Sequence, residues 1–90
     1  MSESIRDFKD LIVWQKSRLL VKEVYLLTQA FPPDERFGLT SQVRRAVISV
    51  PSNIAEGHAR QGREFVHFLS VARGSMAEVE CQLLLAVDLG

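Results

Sequence analysis

This sequence has few of the features that stabilise small proteins through disulfides or anchor them in a membrane. Cys81 is its only cysteine, so one chain cannot form an internal disulfide, and we expect a reducing, cytoplasmic environment. The longest unbroken apolar run covers only residues 83–87, which is far too short to cross a bilayer. The first ten residues are rich in charge and lack an apolar run, which predicts a short polar tail over residues 1–9 and no signal peptide.

The chain also lacks an excess of charge of either sign. Eleven basic residues balance 11 acidic ones, so the whole molecule has no general attraction to nucleic acid or to an anionic membrane. The distribution is uneven, because the stretch from Arg36 to Arg73 holds six arginines but only two acids, Glu56 and Glu64. A locally basic middle on a neutral protein is therefore expected.

No recognisable constellation of catalytic or metal-binding residues is present. Glu64 and His67 form a single Glu-x-x-His pair, whereas di-iron bundles use that unit twice together with two further glutamates. Cys81 directly follows Glu80 and lies three residues after Glu78, an acidic setting that disfavours a reactive thiolate and predicts a packing residue. We expect no enzymatic activity, no cofactor, no metal and no small-molecule substrate.

Apolar periodicity predicts a first helix over residues 10–31, which Pro32 and Pro33 end. Steps of four and three residues place one row on a single face of this helix: Val13, Ser17, Leu20, Val24, Leu27 and Phe31. Four further residues widen the stripe on one flank, which indicates contact with more than one helix: Leu11, Trp14, Val21 and Tyr25.

A second helix is predicted over residues 42–56, with Thr40 or Ser41 as its N-cap and Gly57 as its stop. Pro51 falls inside this pattern and should either kink the helix or divide it into two. The apolar row consists of Val43, Val47, Val50 and Ile54.

A third helix is predicted from residue 61 to the end of the sequence and has the most regular heptad row: Phe65, Leu69, Ala72, Met76, Val79, Leu83 and Ala86. Gly74 costs about 1 kcal/mol inside a helix relative to alanine, which predicts a closely packed backbone there. Across the chain, we expect eight principal packing residues: Trp14, Leu20, Leu27, Val47, Ile54, Leu69, Met76 and Leu83.

These patterns predict one all-α domain over residues 1–90, an antiparallel up-and-down bundle of three long helices. Each helix has more than one apolar face, and three helices alone cannot hide that much apolar surface. Either a fourth helix or another chain must cover the remainder.

The middle of the chain resembles a known family. The segments FPPDERFGLTSQVRRA (31–46), VPSNIAEG (50–57) and FLSVARGSMAEVECQL (68–83) are similar to its conserved motifs, and DLIVWQK (10–16) is similar to its start. On these motifs the chain is identified as a member of the four helix bundle protein family, also called the 23S rRNA intervening-sequence protein family.

The resemblance implies an antiparallel helix bundle that assembles as a homo-oligomer, with a ring-like pentamer as the expected form. Similar proteins serve as accessory subunits of retroelements and bind a reverse transcriptase and RNA or DNA. No catalytic residue is known for the family. Its members continue into a fourth helix, so a chain ending at Gly90 is expected to be shortened or to rely on partners.

A polar set completes the analysis, and two interpretations of it stay open. In the first, one of three arginines (Arg44, Arg45 or Arg73) pairs with one of three glutamates (Glu56, Glu78 or Glu80). Such a pair fixes helix register within or between subunits, because a buried charge needs a partner. In the second, the arginines, with His58 and His67, bind the phosphates of nucleic acid. The set comprises Arg44, Arg45, Asn53, Glu56, Arg60, Arg63, Arg73, Glu78 and Glu80.

Overall fold

A computed structural model describes residues 6–90. Within this range the chain forms three long helices and no strand, which confirms the all-α fold class. The elements are a 3-10 turn at Phe8–Asp10, α1 (Ile12–Thr28), a second 3-10 turn at Pro33–Glu35, α2 (Leu39–Arg60) and α3 (Gly62–Leu89).

Helix α2 lies in the middle of the molecule and packs against both of its neighbours, whereas no Cα of α1 comes within 8 Å of a Cα of α3. The radius of gyration is 14.9 Å, compared with about 12 Å for a compact domain of this length. The arrangement is therefore open between α1 and α3. The core consists of two clusters of buried apolar residues: Val24, Val43, Ala46, Val47 and Val79 in one, and Val50, Ile54 and Ala72 in the other.

The segment before α1 is more ordered than the predicted tail, although residues 1–5 lie outside the described range. The backbone N–H groups of Arg6 and Asp7 donate to the Asp10 carboxylate, and these hydrogen bonds lower the pKa of Asp10. Phe8 lies edge-on to Trp14, with 5.0 Å between ring centroids. This contact extends the core beyond the start of α1.

Helix α2 begins at Leu39, three residues earlier than predicted, and neither Thr40 nor Ser41 is its N-cap. Gly38 occupies the cap position and has no side chain to offer. The Glu35 carboxylate accepts the Leu39 N–H at 3.1 Å instead, so the preceding turn supplies the missing acceptor.

Neither the division of α2 at Pro51 nor its predicted stop at Gly57 is present. The helix continues through Pro51 without a break, because burial against two neighbouring helices outweighs the cost of one lost backbone hydrogen bond, about 3 kcal/mol. It also continues past Gly57, which is buried inside the helix and is not its stop. The expectation for Gly74 is wrong as well, since no atom beyond the adjacent backbone of its own helix lies within 4 Å of a Cβ built there.

A single residue, Gln61, joins α2 to α3, and its backbone lies at φ 63° and ψ 172°. This region is populated almost only by glycine, and a residue with a side chain pays of order 1–3 kcal/mol to occupy it. The Gln61 N–H still donates to the Gly57 carbonyl at 2.9 Å, which holds the turn closed.

Gln61→Gly is therefore expected to stabilise the protein by about 1 kcal/mol, even though glycine gains entropy in the unfolded chain. The measurement is urea unfolding followed by far-UV circular dichroism at one protein concentration. Gly62→Ala is the matched control, because Gly62 also has positive φ, at 62°, and alanine there should destabilise. If the Gln61→Gly variant is no more stable than the wild-type protein, the Gln61 backbone is not strained.

Candidate association surfaces

The principal candidate site is an apolar groove along the opening between α1 and α3. Leu20 contributes the α1 wall, and α3 contributes apolar side chains with one charge of each sign. We call this the α1/α3 groove, and it is lined by Leu20, Arg73, Met76, Ala77, Val79, Glu80 and Leu83.

The groove explains which predicted packing residues the chain leaves uncovered. Leu27 and Met76, two of the predicted packing residues, remain 52% and 39% exposed, so the described chain buries neither of them. Leu27 lies two turns beyond Leu20 on the same face of α1, and Met76 lines the groove directly. The other predicted packing residues are buried or half-buried: Trp14, Leu20, Val47, Ile54, Leu69 and Leu83.

A second, polar groove lies on the opposite side of α3, against α2. The hydroxyls of Ser49 and Ser75 lie 2.6 Å apart, and the Asn53 amide donates to the Ser49 carbonyl at 2.7 Å. Arg45 and Glu78 line the rim of the same groove. Sequence reasoning missed Ser75, which is only 7% exposed, because a serine beside an apolar row has no strong signal of its own.

Arg44 performs a structural role that differs from the predicted ion pair. Its Nε donates to the Thr28 hydroxyl at 2.8 Å, and its Nη2 lies 3.4 Å from the Tyr25 carbonyl. The guanidinium also lies 4.4 Å from the centroid of the Tyr25 ring. Arg44 thus ties α2 to the C-terminal end of α1, where the helix dipole favours a cation.

Arg60 forms the ion pairs at the α2–α3 turn. It lies 2.8 Å from carboxylate oxygens of both Glu56 and Glu64, and these hydrogen bonds raise the pKa of the guanidinium. Glu56 therefore pairs with Arg60, and the prediction that its partner is Arg44, Arg45 or Arg73 is wrong. All three side chains are about half exposed, so the cluster orients the turn more than it stabilises the fold.

The remaining charged residues of the predicted set do not come together. Within residues 6–90, no carboxylate lies within 4.0 Å of Arg45 or Arg73. Arg73 and Glu80 line the α1/α3 groove, whereas Arg45 and Glu78 line the polar groove on the other side of α3. The structure therefore distributes the predicted basic set over separate surfaces, and Arg63 lies exposed in the first turn of α3.

The residues considered for metal or thiol chemistry are also apart. Among the described residues, no three His, Cys, Asp or Glu side chains gather as they would around a metal ion. His58 lies edge-on to Phe65, and His67 lies edge-on to Phe68. Cys81 is exposed, so its prediction as a packing residue is wrong. None of the helices in residues 6–90 combines the length and apolarity that crossing a bilayer requires.

The three helices, with two apolar core clusters along α2, define this chain as an all-α helical-bundle protein. Comparison with family models then identifies the family: the model described as 23S rRNA-intervening sequence protein matches residues 9–90, and the chain belongs to that family. No curated protein matches the sequence. The resemblance drawn from the PSNIAEG and ARGS segments is thereby confirmed.

Proposed function

We propose that this protein is a non-enzymatic scaffold that assembles with copies of itself, and that the α1/α3 groove receives a helix of a neighbouring copy. The observation that carries the proposal is the open apolar groove between α1 and α3, two helices with no Cα atoms within 8 Å of each other. Helices associate by burying such faces, because apolar surface removed from water stabilises the assembly.

The balance of buried and exposed apolar residues supports this proposal. Within residues 6–90, eight hydrophobic residues are buried, while 14 large hydrophobic residues remain exposed. Covering one such side chain is worth about 1.5–3 kcal/mol, so burying even a few can offset the entropy lost on association. The most exposed members on α1 and α3 are Ile12, Leu19, Leu26, Val66, Leu84, Val87 and Leu89.

The charges of the groove fit a second copy better than an anionic polymer. Arg73 and Glu80 lie on the same wall, so a copy carrying the same pair can present complementary charges. The neutral chain also imposes no net repulsion between copies. The family resemblance implies a ring of five copies, and sedimentation equilibrium measures the number of copies directly.

Binding of RNA or DNA, with or without a reverse transcriptase, is the less favoured proposal. Arg44 is engaged at the end of α1 and Arg60 is paired with two glutamates. Arg45 and Arg73 lie in different grooves. Phosphate binding by a neutral protein needs a contiguous basic surface, and a single copy offers none among these residues.

Sedimentation equilibrium at several micromolar concentrations tests self-association. We expect several chains per particle for the wild-type protein and fewer for Met76→Lys, because a lysine in the groove would have to be buried in the interface. Val71→Lys is the matched control: Val71 lies on the same helix with almost the same exposure, 38% against 39%, but outside the groove.

Three outcomes would contradict the proposal. A wild-type protein that is a single compact chain at every concentration would reject self-association. Equal effects of Met76→Lys and Val71→Lys would reject the groove as its site. Salt-dependent binding of labelled RNA by the wild-type protein, together with a single-chain mass, would favour the nucleic-acid proposal instead.

A further inference from the structure

The turn between α2 and α3 is strained and exposed. Gln61 alone connects the two helices, at φ 63° and ψ 172°, and Gly62 follows it at φ 62°. Both residues are exposed to solvent, and no atom beyond the adjacent backbone lies within 4 Å of a Cβ built on Gly62. Opening the turn therefore breaks no packing contact of Gly62 itself.

The interactions across the turn already have the spacing of a continuous helix. The Gln61 N–H donates to the Gly57 carbonyl and the Phe65 N–H donates to the Gln61 carbonyl, each bond spanning four residues. Arg60 pairs with two glutamates, one four residues before it and one four residues after it. A single helix over residues 39–89 keeps all four interactions and returns Gln61 to an unstrained conformation.

The packing of α3 on α2 is centred on this turn. The two hydroxyls that lie 2.6 Å apart belong to Ser49, 13 residues before Gly62, and to Ser75, 13 residues after it. A Cβ on Gly57, five residues before Gly62, would lie 2.7 Å from the Cβ of Phe68, six residues after it. Two straight helices that pair antiparallel with residue 62 opposite residue 62 therefore reproduce these α2–α3 pairs between two chains.

We propose that the α2–α3 turn is an exchange hinge, through which two copies of the chain swap their α3 helices. In the exchanged dimer, α2 and α3 of each chain form one helix about 75 Å long, and each α3 packs on the α2 of the other chain. Each half rebuilds the same core and the same α1/α3 groove, while two strained turns are lost. A short connection under strain is the feature that favours such an exchange.

The exchange is independent of the proposed self-association. Assembly through the α1/α3 groove joins intact chains by their surfaces, whereas exchange requires α3 to leave its own α2. A ring of five contains an odd number of copies, so closed chains build it and the exchanged dimer is a second form of the protein. The two forms interconvert slowly, because the α2–α3 core must open first.

Substitutions at the two turn residues should shift the exchange in opposite directions. Gly62→Ala disfavours the closed turn, since alanine resists positive φ, and it favours the continuous helix. Because a dimer replaces two turns, we expect the dimerisation constant to rise about 100-fold. Gln61→Gly relieves the closed turn and weakens the continuous helix, so it should lower that constant. Size-exclusion chromatography with light scattering, after refolding at several protein concentrations, measures both changes.

A disulfide reports which chain supplies α3. Ser49→Cys and Ser75→Cys, combined with Cys81→Ser, place two thiols where the hydroxyls now lie 2.6 Å apart. Oxidation of closed chains gives a bond within one chain, whereas oxidation of the exchanged dimer joins two chains, which a denaturing gel separates by mass. In the Gly62→Ala background, refolded at high protein concentration, we expect covalent dimers. Assembly through the groove leaves the bond within each chain.

The outcomes separate this inference from the proposed function. Absence of a Gly62→Ala dimer, or bonds within single chains only, would overturn the exchange and leave the groove proposal untouched. If the disulfide does not form, the lifetime of an isolated Gly62→Ala dimer decides. A dimer that persists for hours after dilution supports the exchange, and one that separates within minutes overturns it. Covalent dimers in a protein that never assembles further would support the exchange and reject the groove. Far-UV circular dichroism checks that every variant remains folded.

Discussion

Gly57→Ala is expected to destabilise the protein by about 2 kcal/mol or more, which lowers the melting temperature by about 10 °C. A Cβ at this position would lie 2.7 Å from the Cβ of Phe68 and 3.3 Å from the Cα of Phe65. Neither atom is the end of a flexible side chain, so relief requires α2 and α3 to move apart. The gain in helix propensity, about 1 kcal/mol, is too small to offset that movement.

Gly74→Ala is the matched control for this prediction. The substitution is the same and Gly74 also lies inside a helix, but nothing lies within 4 Å of its added Cβ. Only the propensity term acts there, so we expect a stabilisation of about 0.5–1 kcal/mol. Thermal unfolding of both variants at one protein concentration gives the comparison, because self-association would otherwise shift the midpoint. If both substitutions shift the unfolding midpoint in the same direction, the close approach of α3 to Gly57 is refuted.

Arg44→Met should destabilise the protein by about 1–2 kcal/mol and loosen the end of α1 in particular. Methionine keeps much of the apolar stem but removes the hydrogen bond to Thr28, the contact with the Tyr25 carbonyl and the cation over the Tyr25 ring. We expect faster amide hydrogen exchange over residues 26–31 of this variant, since those amides lie beside the lost contacts.

Two further variants show whether geometry or charge is responsible. Arg44→Lys keeps the charge but lacks the planar fork of the guanidinium, so its stability should lie between those of the wild-type and Met variants. Arg45→Met removes a neighbouring, exposed charge and should change stability by no more than about 0.5 kcal/mol. If Arg44→Met and Arg45→Met change the free energy of unfolding by the same amount, the contacts of Arg44 between α2 and α1 do not stabilise the protein.

Periodicity was a sound guide to the helices and a poor guide to their ends. The heptad row of α3 predicts Ala72 and Val79 on the buried face, and both are buried. The division considered at Pro51 and the stop predicted at Gly57 are wrong because local preference favours a break at each, whereas burial between two helices stabilises the continuous form. Likewise, α1 ends at Thr28, three residues before the predicted end.

The candidate surfaces were only partly predictable. The excess of apolar faces indicates that some surface stays uncovered, but the sequence row containing Leu20 and Leu27 was expected to be packed. The polar set contains Arg44 and Arg60, yet their partners are a hydroxyl and two nearby glutamates. The spacing of residues along a helix shows on which face of the helix each residue lies. It does not show which other element packs against that face.

The sequence by itself determined the number of helices, their apolar rows and the family, because these depend on local spacing and on short motifs. Only the tertiary structure decided which side of α1 is covered, since α1 is apolar over more than half of its circumference and the neighbouring helices choose the buried sector. The tertiary structure likewise decided that Gly57 is a contact point and that Leu19 faces outward. Both depend on where the helices lie relative to one another, and residues far apart in the sequence determine that arrangement.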